Sequence, residues 1–139
     1  MMVKKYIKFF ENIQKSTSLK EYEEIFHPKV KFKDPFHDVE GLQKLYEIFQ
    51  AMYKKLDDPK FTVIEAVDQK NVAYLKWKFT FRFKKDQQQN SFEGVSRVEF
   101  DLNGKAISHI DYWDSAENLY EKIPLLSFFM RFLKRKIAS

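Results

Sequence analysis

The chain has 139 residues, 44% of them hydrophobic and 17% aromatic, a formal net charge of +5 and no cysteine. This is the size of one domain with its own core, and the lack of cysteine excludes disulfides, thiol nucleophiles and thiolate metal sites and fits a cytoplasmic protein. The charge excludes a broad nucleic-acid footprint: Lys122, Arg131, Lys134, Arg135 and Lys136 carry the whole excess, and the rest of the chain balances its bases against its acids.

Residues 3–15 predict a helix, because Tyr6, Phe9, Phe10 and Ile13 recur at helical spacing. Ser18 followed by Glu21 is the signature of a capping box, and it opens a second helix that runs to about Phe26. His27-Pro28 breaks that helix. The next segment, KVKFKDPF, alternates strictly. Lys29, Lys31 and Lys33 share one parity and must face water, so Val30, Phe32 and Asp34 fall on the apolar face. Pro35 ends this strand, and Gly41 opens a third helix over 41–56 with Leu42, Leu45, Phe49, Met52, Tyr53 and Leu56 on its buried stripe.

Beyond Asp57-Asp58-Pro59 the hydrophobic period falls to two. Strands are expected over 60–67, 72–84, 92–101 and 105–114, with a turn at 68–71, a polar loop over 84–91 and a tight hairpin at Asn103-Gly104. The second of these strands puts Ala73, Leu75, Trp77, Phe79, Phe81 and Phe83 on one face. A C-terminal helix follows from Ser115. Within it, 124–137 is basic and amphipathic: Leu125, Phe128, Phe129, Phe132 and Leu133 oppose Arg131, Lys134 and Arg135. Such a helix suits weak contact with a membrane surface, a dimer contact or a lid over a cavity. No run approaches the roughly 20 apolar residues of a membrane span, and the N-terminus lacks the features of a signal peptide. One domain over 1–139 is expected, with 115–137 as a helical extension. Helices first and hairpin-linked strands later make an α+β layout.

Gly-rich phosphate loops and a nucleophile elbow are absent. His27, His37 and His109 lack metal-binding spacing, so neither a metal nor a cofactor is expected. Asp34 is the leading candidate for chemistry. A carboxylate on an apolar strand face is costly unless it is paired, hydrated or used; it acts as a base, or it accepts backbone N–H bonds in the Asp-Pro turn. The last strand offers His109, Asp111 and Trp113 on one parity and Ser108, Ile110 and Tyr112 on the other. Periodicity alone does not choose the inner face. His37 and Asp38 lie in the loop after Asp34, either gating a pocket or forming a solvated turn.

The element order, the strand ending in Asp34-Pro35 and the final strand reading His109-Ile-Asp-Tyr-Trp-Asp together resemble the nuclear transport factor 2-like superfamily, within it the SnoaL-like and ketosteroid-isomerase-like proteins. The resemblance implies a cone: a strongly curved mixed or antiparallel sheet wrapped around the N-terminal helices, with an internal pocket. It implies that Asp34 occupies the position of the general base and that His109, Asp111 and Trp113 face the pocket. The two oxyanion donors of the steroid isomerases fall at Phe10 and Ser96, so both are replaced and a true steroid isomerase is not expected. The expected catalytic set is Asp34, His109 and Asp111. The expected substrate contacts are Phe10, Phe49, Tyr53, Trp77, Ser96 and Trp113. An isomerase, cyclase or hydratase type of acid–base enzyme for a small hydrophobic or lipid-like ligand follows, functioning as a homodimer. The alternative is a binding module of the same fold, without turnover.

Overall fold

The computed structural model describes residues 2–84, 86–114 and 124–138. Three helices and a six-stranded sheet make the body: α1 (Met2–Asn12), α2 (Leu19–Ile25), β1 (Phe26–Lys33), β2 (Asp38–Glu40), α3 (Leu42–Lys55), β3 (Leu56–Gln69), β4 (Val72–Phe83), β5 (Asp86–Phe100) and β6 (Ala106–Tyr112). A final helix, α4, spans Pro124–Ala138. The onset of the C-terminal helix at Ser115 lies outside the described residues. Among those residues, no helix is long and apolar enough to cross a membrane.

The strand order is β2-β1-β6-β5-β4-β3. The β1–β6 pair is parallel and every other pair is antiparallel, so the sheet is mixed. Register shifts interrupt the ladders at Phe26/Lys31, Asp57/Lys60, Val63/Glu65, Phe81/Phe83 and Glu99/Phe100. Such irregularities bend a strand and increase its twist, and here they curve the sheet without closing it into a barrel. The helices pack on its concave side, α1 against β3 and α3 against β1 and β3. The core between them is strongly aromatic: Tyr6, Tyr22 and Phe26 are fully buried, and Phe10, Phe32 and Phe49 pack beside them.

Local signals explain the elements. Ser18 accepts from the backbone N–H of Glu21, and the Glu21 carboxylate accepts from the Ser18 N–H, which completes the capping box and fixes the start of α2. Gly41 caps α3 at φ 113°, a conformation open to glycine. At the β5–β6 hairpin, Gly104 takes φ 82° and Asp101 accepts from the backbone of Asn103 and Lys105.

Three differences from the sequence reading have physical causes. His27 and Pro28 lie inside β1 rather than in a break before it. They fall where the β1–β6 register shifts, and a missing N–H is tolerated at such an irregularity. Asp38–Glu40 forms a short strand against Lys31–Lys33, where a loop was expected. The polar segment 86–91 extends β5 instead of looping, pairing with β4 out to Phe83↔Asp86. Only residues from Val95 onward pair with β6, so the polar half of β5 has one strand neighbour and no need of a two-sided apolar pattern.

Candidate active site

The concave face and α3 enclose a cavity of about 350 Å³. Its walls are mainly aromatic, with a small polar set made of Asp34, His37, Lys55, Ser96, His109 and Asp111. A largely apolar hollow with a few converging polar groups is the usual form of a small-molecule site.

Strand alternation delivers these groups. Phe32 pairs with His109 and Lys33 with Ile110 in the parallel β1–β6 ladder, so Asp34 and Asp111 come next on adjacent strand ends. Ser96 pairs with Asp111 across β5–β6, and Trp77 faces Gly94 across β4–β5. A Cβ added at Gly94 would meet the Trp77 ring at 2.5 Å and the Trp113 Cβ at 3.1 Å. The glycine therefore leaves room for both tryptophans on one wall.

Five side chains form a single hydrogen-bonded series. Trp77 Nε1 donates to Ser96 Oγ at 2.7 Å. Ser96 Oγ donates to Asp111 Oδ1 at 2.5 Å. His109 Nε2 lies 2.6 Å from the same oxygen, and the Tyr6 hydroxyl lies 2.5 Å from His109 Nδ1. With Asp111 ionised, one proton arrangement satisfies every member: Nε2 carries the imidazole proton and donates to Asp111, while Nδ1 accepts from Tyr6. The His109 ring also lies against Phe32 and Phe10, at centroid distances of 5.3 and 5.5 Å. Burial, and then the Asp111 charge, raise the Tyr6 pKa well above the ordinary tyrosine value, which keeps the hydroxyl a donor. Asp111 Oδ2 has no hydrogen-bond partner among the described residues.

Asp34 is held differently. Its Oδ1 accepts the backbone N–H of Phe36 at 2.8 Å and of His37 at 2.7 Å, and His37 Nδ1 lies 2.9 Å away. Asp34 thus organises the turn after β1, as the second reading expected, and it also lines the cavity. Side-chain exposure separates the two histidine–aspartate pairs. It is 5% and 17% for His109 and Asp111, but 40% and 13% for His37 and Asp34.

Of the expected substrate contacts, Phe10, Phe49, Trp77, Ser96 and Trp113 line the cavity. Tyr53 does not. It is buried in the core, and its hydroxyl has no partner among the described residues. The wall takes Ile48, Phe49, Ala51, Met52 and Lys55 from α3, while Tyr53 of the same helix belongs to the core. Tyr6 was not among the candidates, and His37 entered only as a residue that either gates a pocket or forms a solvated turn. Tyr6 lies one helical turn before Phe10, on the same face of α1, and that i, i+4 spacing was the available signal. Phe36 and Phe92 border Trp113, whose ring stacks on Phe92 at 4.5 Å.

A curved open sheet over helices, enclosing an aromatic cavity with a few converging polar groups, defines the nuclear transport factor 2-like class of fold. The SnoaL-like domain model matches residues 6–109, and the chain belongs to that family. No curated protein matches the chain. Solved structures agree on the fold. A protein with a ketosteroid isomerase-like fold from Catenulispora acidiphila, in complex with trimethylamine, superposes with a TM-score of 0.71 at 9% identity, covering 85% of this chain and 88% of that one. A nuclear transport factor 2-like protein from Burkholderia pseudomallei gives 0.71 at 13% identity, covering 84% and 90%. An epoxide hydrolase from M. tuberculosis gives 0.66 at 10% identity, covering 84% and 83%.

Proposed function

We propose that the protein is an acid–base enzyme that moves a proton on a small apolar molecule held in the cavity, with Asp111 as the base. The observation that carries this is the asymmetry of the Asp111 carboxylate. Ser96 and His109 fix Oδ1, while Oδ2 has no partner among the described residues and the carboxyl borders a mainly aromatic hollow. A base locked in one orientation by hydrogen bonds needs little reorganisation when it takes a proton.

Asp34, which the resemblance puts forward as base, is the second candidate. Three donors already converge on its Oδ1, which favours an anchoring role. Isomerisation, cyclisation and hydration all begin with such a proton transfer, and the fold supports several of them. A hydrolytic relative of the same fold is in keeping with that range.

The test needs no natural substrate. In 5-nitrobenzisoxazole a base removes the ring C–H proton, the C–H electron pair becomes part of a nitrile, and the N–O bond breaks to leave a phenolate. The wild-type protein is expected to open this ring faster than acetate buffer does, and Asp111→Asn to lose at least about 100-fold of that rate. Full activity in Asp111→Asn overturns the assignment. A larger loss in Asp34→Asn than in Asp111→Asn moves the base to Asp34. Binding of the probe by wild type without any ring opening favours the ligand-binding module.

A further inference from the structure

We infer that His37 and Asp34 form a second proton-handling pair at the cavity wall, with His37 Nε2 as the group that protonates oxygen on the bound molecule. The inference rests on the reading of Asp111 as the base, and it concerns the opposite end of the same reaction.

Asp34 faces His37 through both carboxylate oxygens, at 2.9 and 3.1 Å from Nδ1. An ionised carboxylate accepts and cannot donate, so Nδ1 carries a proton. In the neutral ring that leaves Nε2 as a bare acceptor, and in the protonated ring as a donor. Nδ1 is committed to Asp34, no hydrogen bond holds Nε2 among the described residues, and the ring borders the cavity. The turn supports this geometry. The backbone N–H groups of Phe36 and His37 bond to Asp34 Oδ1, so the carboxylate is fixed before it meets the imidazole. Phe36 in turn packs on Trp113 at 5.5 Å, which ties the turn to the aromatic wall.

His109 cannot serve in the same way. Its Nε2 is held by Asp111 and its Nδ1 by Tyr6, so neither nitrogen is left for a ligand. The two histidines therefore divide the work. His109 positions the base, and His37 exchanges protons with the bound molecule. In the step proposed, Asp111 Oδ2 takes a proton from carbon and the C–H electron pair forms the new bond. The electron pair of the breaking bond goes to oxygen, which takes the Nε2 proton of protonated His37. The imidazole is left neutral, still donating Nδ1–H to Asp34.

Two measurements test this. The first compares ring opening of 5-nitrobenzisoxazole with that of unsubstituted benzisoxazole, whose more basic phenolate leaves poorly without an acid. His37→Gln is expected to slow the unsubstituted compound by at least about 10-fold more than the nitro compound. An equal factor on both overturns the assignment. The second records proton–nitrogen correlation spectra of the histidine rings with 2-cyano-4-nitrophenol, the nitro product, as the cavity probe. His37 is expected in the Nδ1–H form, with its Nε2 resonance moving when the probe is added. The Nε2–H form, or an unmoved Nε2, overturns the pair. If wild type opens neither ring, the Asp111 reading falls, and the nitrogen spectra alone decide for or against His37.

Discussion

Two histidine–aspartate pairs border one cavity, and the protein treats them in opposite ways. His109 and Asp111 are embedded: five side chains from α1, β4, β5 and β6 complete one another's hydrogen bonds there. His37 and Asp34 sit in a short turn, tied mainly to their own backbone. The residue types are the same, yet the number of satisfied ring nitrogens differs, and that number decides what a histidine can do. With both nitrogens bonded internally an imidazole is a structural strut. With one nitrogen bonded, the same ring is oriented and still available.

The largest test of this contrast is stability. His109→Ala removes a buried ring and leaves the Tyr6 hydroxyl and Asp111 Oδ1 short of partners, so unfolding by denaturant should show a loss of about 4 kcal/mol. His37→Ala, at a half-exposed turn, should change stability by less than about 0.5 kcal/mol. Similar losses at both sites would break the comparison. The next effect concerns the wall that holds the embedded series in place. Gly94→Ala drives a methyl group into the Trp77 ring, whose Nε1 is anchored on Ser96, and should cost about 2 kcal/mol by the same measurement. A neutral result would mean that Trp77 is free to tilt.

A smaller loss within the embedded series is that of Tyr6→Phe, expected to cost about 1 kcal/mol at neutral pH for one buried hydrogen bond. Its alkaline behaviour sharpens the point. Burial raises the pKa of Tyr53 to about 12, and burial also raises those of Tyr6 and Tyr22. The unfolded chain releases these protons from pH 10 upward while the folded chain retains them. The stability they contribute is therefore fully present below pH 10 and is lost as pH rises through the folded values. Melting temperature should fall steadily above pH 10, and Tyr6→Phe should flatten that fall. An equally steep fall in the variant would show that Tyr6 is not the protected group.

Much of the frame was legible because it obeys periodicity. The lysines at 29, 31 and 33 forced Asp34 inward, and the Ser18–Glu21 box marked the start of α2. The strand at 86–91 escaped because its polar half lacks the β6 neighbour that would have demanded an apolar pattern. Tyr53 was misplaced because a helical stripe is wider than the part of it that meets the cavity. The site itself was readable only in pieces. Asp111 and His109 could be put on one parity, but the bond from Tyr6 to His109 joins residues 103 positions apart, and no local pattern carries it. His37 stayed open between a pocket gate and a solvated turn, because its meaning depends on which oxygen its Nδ1 meets.

The chain's two tryptophans, Trp77 and Trp113, both lie on the cavity wall. Ultraviolet emission from the whole protein is therefore a report from this one compartment. Any compound that enters should displace water from the indoles or stack on Trp113, changing the intensity and colour of that light. Chemical libraries can thus be screened for occupants before the reaction is known, with the unmodified protein as its own sensor.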